Sequence, residues 1–462
     1  MWIEKIKRLY LGLPPGNNMP DSELYESQAG GRSVRFMEPC TGEGETCSWT
    51  ERTNYMETAR WYPTLETLQD GSAIVIGGCL YGGYVNEISQ QVPTVEFIPS
   101  KGNSIGLNFL LNSLPANLYA LTWLLPSGNL FMQATYSTSI YDWQNQVCPA
   151  HFLMCLRLTA GQVEHPLPNI PDGVKTYPSS GATAMLPLRP ENNYQSTLLF
   201  CGGNDLQPDQ FVATWNIAAY PTIKTCTRMT PDVDPTWSYD DDAPQGRTMG
   251  QFIILPNGML FMLNGGARGT AAYGNTTWAI GQSFADDPVL TPAMYNPRAP
   301  SGSRWSTDGL GSSEVPRLYH SVALLLADGA VMVAGSNPAS DYIPEGFVEN
   351  GVKYKYWTDY RTEYFYPSYY NEPRPEPQGL PDEISYGGMT FNVTLSSNDL
   401  GGESGNLAST EVVIIRPGFS THGMNMGMRF IQLNNTATWD EATTSGTLHV
   451  SQLVRVARVC AV

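Results

Sequence analysis

Three short phrases hold the side chains best suited to chemistry: RWYPT with Tyr62, RLYHS with Tyr319 and His320, and FSTHGMNMGMR with His422. Imidazole ligates metals and moves protons near neutral pH, and a phenol can take part in proton transfer. Each phrase also has an ordinary structural reading: a lone histidine at a strand end is often a hydrogen-bonded support, and a tyrosine beside Arg60-Trp61 often packs. Adjacent residues of a strand point to opposite faces, so Tyr319 and His320 converge on one atom only at an irregular strand end. A second group, Cys148, His151, Cys155 and His165, lies in QVCPAHFLMCLRLTAGQVEH (146–165). Its C-x-x-H-x-x-x-C spacing is not a standard structural zinc pattern and reads as an extra surface loop.

A recurring phrase supplies the elements that must position the first set. An apolar strand, a tight turn, a second apolar strand and then small residues occur at 60–78, 118–134, 179–203, 246–266 and 319–336. Asp-Gly and Asn-Gly at the turns predict two-residue hairpins, because such turns need positive φ. Hairpins ending in Gly-Gly and spaced at intervals predict blades of a kelch-type β-propeller, with Tyr319 and His320 where an innermost strand meets the axis. The proline-rich YPSYYNEPRPEPQGLP (366–381) denies donors to a sheet and predicts a boundary. Beyond it, alternating strands predict a small immunoglobulin-like β-sandwich. The expected organisation is an irregular segment 1–30, a propeller over 31–370 and a sandwich over 371–462.

Composition fits an all-β extracellular protein. The 462 residues are 42% hydrophobic, and they include 44 glycines and 35 prolines. Charged residues are 15% where about 25% is usual, the profile of a turn-rich chain. A net charge of −17 repels phosphate backbones and argues against a nucleic-acid partner. No apolar run is long enough for a membrane span, and the opening MWIEKIKRLYLGLPPG carries charges where a secretion signal needs its apolar stretch. Against that stand three N-x-S/T sequons, at Asn275, Asn392 and Asn434, and paired cysteines, as expected of a secreted glycoprotein. Cys40 with Cys47 and Cys201 with Cys226 are the candidate disulfides, with reduced buried thiols as the alternative.

The three phrases, in order, resemble the ligand motifs of galactose oxidase and the fungal glyoxal oxidases. GGRSVRFMEPC, WLLPSGNLF, TWNIAAYP, YGNTTWAIGQS and PEPQGLPDEISYGG extend the resemblance over about 31–450. It implies a propeller, seven-bladed in the family and complete or incomplete here, followed by the sandwich, with mononuclear copper held by Tyr62, Tyr319, His320 and His422. Tyr62 would be the redox-active tyrosine that carries a radical, and Tyr319 the axial base. Two imidazoles with phenolate and solvent oxygens suit Cu(II) better than zinc. The implied reaction oxidises a small aldehyde or primary alcohol with O2, yielding hydrogen peroxide, in a secreted protein expected to be a monomer. Arg247 aligns with a substrate-side arginine, or caps a blade at the surface.

The chain also departs from the pattern. In the family the cysteine joined to this tyrosine by a thioether lies in an earlier blade, in a phrase such as Phe-Cys-Ala-Gly-Gly, and nothing like it precedes Tyr62, where only Cys40 and Cys47 stand. Cys79, in IGGCLYGG, follows Tyr62, where the family has a residue near the cofactor. By the resemblance, the family's pattern has further strands at both ends that are expected to be missing from this sequence. Two readings therefore stand: a copper-radical oxidase, favoured by the four ligand-type residues, and a non-catalytic propeller binding glycans or cell-wall material, favoured by the missing cysteine.

Overall fold

A computed structural model of the chain describes residues 8–11, 30–37, 46–146, 163–349, 351–384 and 387–452. Cys40, Cys148, His151 and Cys155 lie outside them. Each of the five repeated phrases forms an antiparallel hairpin: Thr64–Thr67 with Ala73–Ile76, Leu121–Leu124 with Leu130–Ala134, Ala182–Met185 with Leu198–Cys201, Gln251–Ile254 with Leu260–Leu263, and Val322–Leu325 with Val331–Ala334. Outer strands widen the first four into four-stranded sheets and the fifth into a three-stranded one. A further three-stranded sheet contains Arg8–Leu11, Val34–Met37 and Trp49–Arg52. The sheets are blades of a β-propeller, and a sandwich with strands Phe391–Ser396, Ser445–Val450 and Asn435–Asp440 follows. His165 lies on the exposed outer strand Glu164–Leu167 of the second blade. Cys201 and Cys226 face each other on adjacent strands of the third blade and form a disulfide.

The hairpin turns differ from the two-residue form expected. In four blades the first loop residue donates its N–H to the residue four along, and the glycine N–H closes back on it: Leu68 with Ser72 and Gly71, Leu125 with Asn129 and Gly128, Leu255 with Met259 and Gly258, Leu326 with Ala330 and Gly329. Only the glycine is left-handed, at φ 82, 86, 81 and 86°. This is a type I turn followed by a glycine bulge; Asp70, Ser127, Asn257 and Asp328 sit in ordinary turn backbone, so only one residue needs positive φ. The third blade instead turns through a short 3-10 segment, Pro190–Asn192, with Asn193 and Tyr194 left-handed.

Two further regularities shape the axis. The residue two before each innermost strand is left-handed: Tyr62 (φ 52°), Tyr119 (50°), Ser180 (44°), Met249 (56°) and His320 (64°). The residue after each second strand, Gly77, Thr135, Gly202, Asn264 or Gly335, is left-handed as well. In four blades a buried cation reaches that residue's carbonyl: Arg60 to Gly77 (2.8 Å), Lys175 to Gly202 (2.6 Å), Arg247 to Asn264 (2.9 Å), and Arg317 to Gly335. Each cation lies close before the inward-turned residue, so it ties the inner edge of its hairpin together.

The sandwich is not merely appended. A hairpin of Phe419–Thr421 and Met424–Met426 enters the propeller, packing against the innermost strands of the first, third, fourth and fifth blades. At its tip Gly423 lies so close to Met249 and Ser180 that an added Cβ would come within 3.2 Å of the Met249 Cα. Arg429 hydrogen-bonds the Leu124 carbonyl (3.0 Å), Arg416 the Thr67 hydroxyl (2.9 Å), and Arg189 pairs with Glu411 (2.8 Å).

Candidate metal centre at the propeller axis

His320 is left-handed, and this is what breaks the alternation of adjacent strand residues. Its ring turns back to stack on Tyr319, with centroids 3.9 Å apart. The hairpin tip brings His422 to 5.2 Å from His320, 5.4 Å from Tyr319 and 5.1 Å from Tyr62, between ring centroids. The structure thus gathers Tyr62, Tyr319, His320 and His422, from the first blade, the fifth blade and the sandwich. His320 is exposed at the mouth, Tyr62 and His422 are half-buried, and Tyr319 is buried, so the group opens to solvent on one side.

The electrostatics suit a metal rather than free acids and bases. Burial, reinforced by His320, lowers the pKa of His422 to about 3, which leaves its imidazole neutral. Packing around the ring also lowers His320, although one side is open, against the opposing effect of its hydrogen bond to Asn337. That bond, His320 Nδ1 to the Asn337 carbonyl at 2.8 Å, fixes Nδ1 as the donor and leaves Nε2 as a bare lone pair. Burial raises Tyr62 to about 12, partly offset by a hydrogen bond with Tyr319, and raises Tyr319 well above the ordinary phenol value. Two neutral imidazoles and two phenols make a nitrogen and oxygen donor set that fits Cu(II). Among the described residues no three His, Cys, Asp or Glu side chains gather as a rival site.

Arg247 is not part of this group. It is 2% exposed, with its guanidinium bonded to the Asn264 and Thr291 carbonyls, and burial lowers its pKa to about 10. The expectation of a surface arginine is corrected by this burial, and its position in the repeat makes it a brace of its blade. Cys79 is a free, buried thiol that donates to the Tyr81 carbonyl (2.7 Å), and burial raises its pKa to about 12.

Sequence reasoning missed two buried tyrosines. Tyr119 lies 5.2 Å from Tyr62 and 4.9 Å from His422, and Tyr177 lies 5.4 Å from Tyr62 and 6.3 Å from Tyr319, ring to ring. A signal for Tyr119 existed, since aligning the repeats two residues before each innermost strand puts it level with Tyr62 and His320.

Fold and axial residues together define a kelch-type propeller whose axis receives a hairpin from an immunoglobulin-like domain. The family described as Glyoxal oxidase N-terminus matches residues 24–369, and Galactose oxidase-like, Early set domain matches 374–459; the chain belongs to the glyoxal oxidase family. It is 30% identical over 442 residues to a Vitis pseudoreticulata protein named aldehyde oxidase GLOX, covering 92% of this chain and 73% of that one. To aldehyde oxidase GLOX1 of Arabidopsis thaliana it is 29% identical, covering 88% of this chain and 60% of that one. A fungal alcohol oxidase of the AA5 family, solved in complex with copper, shares the fold with a TM-score of 0.56 at 17% identity, covering 90% of this chain and 76% of that one.

Proposed function

We propose that this chain is a copper-radical oxidase that converts small aldehydes to carboxylic acids, or primary alcohols to aldehydes, while O2 is reduced to hydrogen peroxide. The observation that carries the reading is the convergence of Tyr62, Tyr319, His320 and His422 from three separate parts of the chain, in a family of oxidases. These four side chains would hold the metal. Bound there, copper would accept one electron, and Tyr62 as a radical would accept the second of the two that the oxidation removes from the substrate.

The remaining steps belong to the protein. His320 is anchored through Nδ1 on Asn337, so its other nitrogen has a fixed direction. Tyr319, buried among Tyr177, Tyr62 and Tyr119, is strongly basic as a phenolate and suited to take the hydroxyl proton of an alcohol or a hydrated aldehyde. Tyr62 then takes the hydrogen from carbon. The Cys201–Cys226 disulfide and the exposed positions of Asn275, Asn392 and Asn434 support an extracellular, glycosylated protein. Among the described residues no helix is long and apolar enough to cross a membrane.

The test is a peroxide-coupled assay on methylglyoxal with copper-loaded, chemically oxidised protein beside His320→Ala. Peroxide from the wild type and a loss of at least about 100-fold in the variant support the reading. Folded, copper-bound protein that makes no peroxide from methylglyoxal or simple primary alcohols overturns it. A second reading, glycan binding, has its own observation. A cavity of about 620 Å³ beside the axis is lined by Tyr81, Tyr84, Phe211, Trp278 and Phe284 with Glu87, aromatic faces of the kind on which sugar rings stack.

A further inference from the structure

The two imidazoles of the axial group are anchored differently. His320 Nδ1 faces a carbonyl, which only accepts, so its protonation pattern is fixed. His422 Nδ1 faces two hydroxyls, Tyr119 Oη at 3.0 Å and Thr421 Oγ1 at 2.8 Å. Tyr119 and Thr421 thus converge on the same ring nitrogen, making a three-membered polar cluster. Tyr119 is 5% exposed, and burial keeps its hydroxyl protonated. A hydroxyl can donate or accept, so this cluster can hold the His422 ring in place whichever ring nitrogen carries the proton.

We propose that Tyr119, with Thr421, is a positioning residue for the metal: it grips the Nδ1 end of His422 so that Nε2 is presented to the copper site. The inference rests on the copper reading above and extends it to a residue that is not itself a ligand. Three observations converge on Tyr119. It occupies the left-handed position of the second blade that Tyr62 and His320 occupy in theirs, which turns it inward. Its ring is 4.9 Å from the imidazole, so it confines the ring as well as bonding it. The hairpin tip carrying His422 has left-handed backbone at both His422 and Gly423, and a side chain on so short a loop depends on outside contacts for its orientation. When Nε2 binds a metal, Nδ1 must carry the proton, and the two oxygens accept it.

The experiment is titration of the full-length protein with Cu(II), with frozen-solution EPR of each complex. Tyr119→Phe keeps the ring and removes only the hydroxyl; the expected result is copper affinity lowered about 10-fold or more and an altered nitrogen hyperfine pattern. Thr421→Val should act in the same direction, and Thr421→Ser, which keeps the hydroxyl, should restore affinity and spectrum. If Tyr119→Phe does not fold, the Thr421→Val and Thr421→Ser pair carries the test alone. Wild-type affinity together with an unchanged spectrum in folded Tyr119→Phe overturns the positioning role while His422→Ala still weakens binding. Equal affinity of wild type and His422→Ala overturns the copper reading, and this inference with it.

Discussion

Four blades place a buried cation at the same structural position, yet only one is a lysine. Arg60, Arg247 and Arg317 each spread several hydrogen bonds, whereas Lys175 is fully buried with its ammonium on the Gly202 carbonyl. Burial lowers its pKa from 10.5 to about 7. Between those values the unfolded chain holds a proton that the folded chain has released, so stability rises with pH across that window and is lowest below about 7. Lys175→Met cannot titrate; the stability difference between wild type and this variant should shift toward the wild type from pH 7 to pH 10, by a few kcal/mol, in parallel urea melts. A flat difference would mean that the ammonium stays charged in the fold. A second prediction concerns Cys79. Its thiol is held as a donor to Tyr81 with its pKa raised to about 12, far from the reactive thiolate form. Peptide mapping of copper-treated protein should recover the Tyr62 and Cys79 peptides separately, and a joined species two hydrogens lighter would contradict that.

At the scale of the hairpin, glycines with similar φ have very different burdens. Gly71, at the first turn, has φ +82° and open space where a Cβ would go. Gly265, after the second strand of the fourth blade, has φ +92°, and its Cβ would lie 2.0 Å from the Thr248 carbonyl. Gly71→Ala should therefore cost only the left-handed penalty of about 1–2 kcal/mol, while Gly265→Ala adds a backbone clash and should cost at least about 3 kcal/mol. Equal melting shifts for the two would refute the close approach. These glycines show how much was legible. Apolar runs punctuated by turn residues, Asp-Gly or Asn-Gly in three of the five, revealed the hairpins, because strand period and turn chemistry are local. The turn type was not legible, since a three-residue loop with a glycine bulge and a two-residue loop use the same letters. The bracing contact of Arg247 was not legible for a related reason: it reaches the far end of its own hairpin, visible only when the repeats are superposed. Tyr119 was missed because its partner, His422, lies in another domain 303 positions away.

The whole molecule is what makes the axial group a group, because neither the propeller nor the sandwich contains all of it. Tyr62, Tyr319 and His320 stand on blades, and His422 rides on a two-stranded hairpin of the sandwich domain whose strands pair with each other and, among the described residues, with no blade strand. A ligand that binds only the assembled form stabilises it by mass action, by about 2.7 kcal/mol at one hundred times its dissociation constant. If copper is held by residues of both parts, that stabilisation must reach both. If it were held by the blades alone, the sandwich could still swing its hairpin out without losing metal. Hydrogen exchange separates the two cases. Amides of Ser445–Val450, the strand paired on both sides in the sandwich, and of Leu260–Leu263, central in the fourth blade, report on the two parts separately. With saturating Cu(II), the expected result is slower exchange at both strands in the wild type. In His422→Ala the gain should vanish at Ser445–Val450, leaving at most a residual effect on the blade. Protection confined to Leu260–Leu263 in the wild type would remove His422 from the ligand set, and would leave its hairpin as packing for the axis rather than as the element that completes the metal centre.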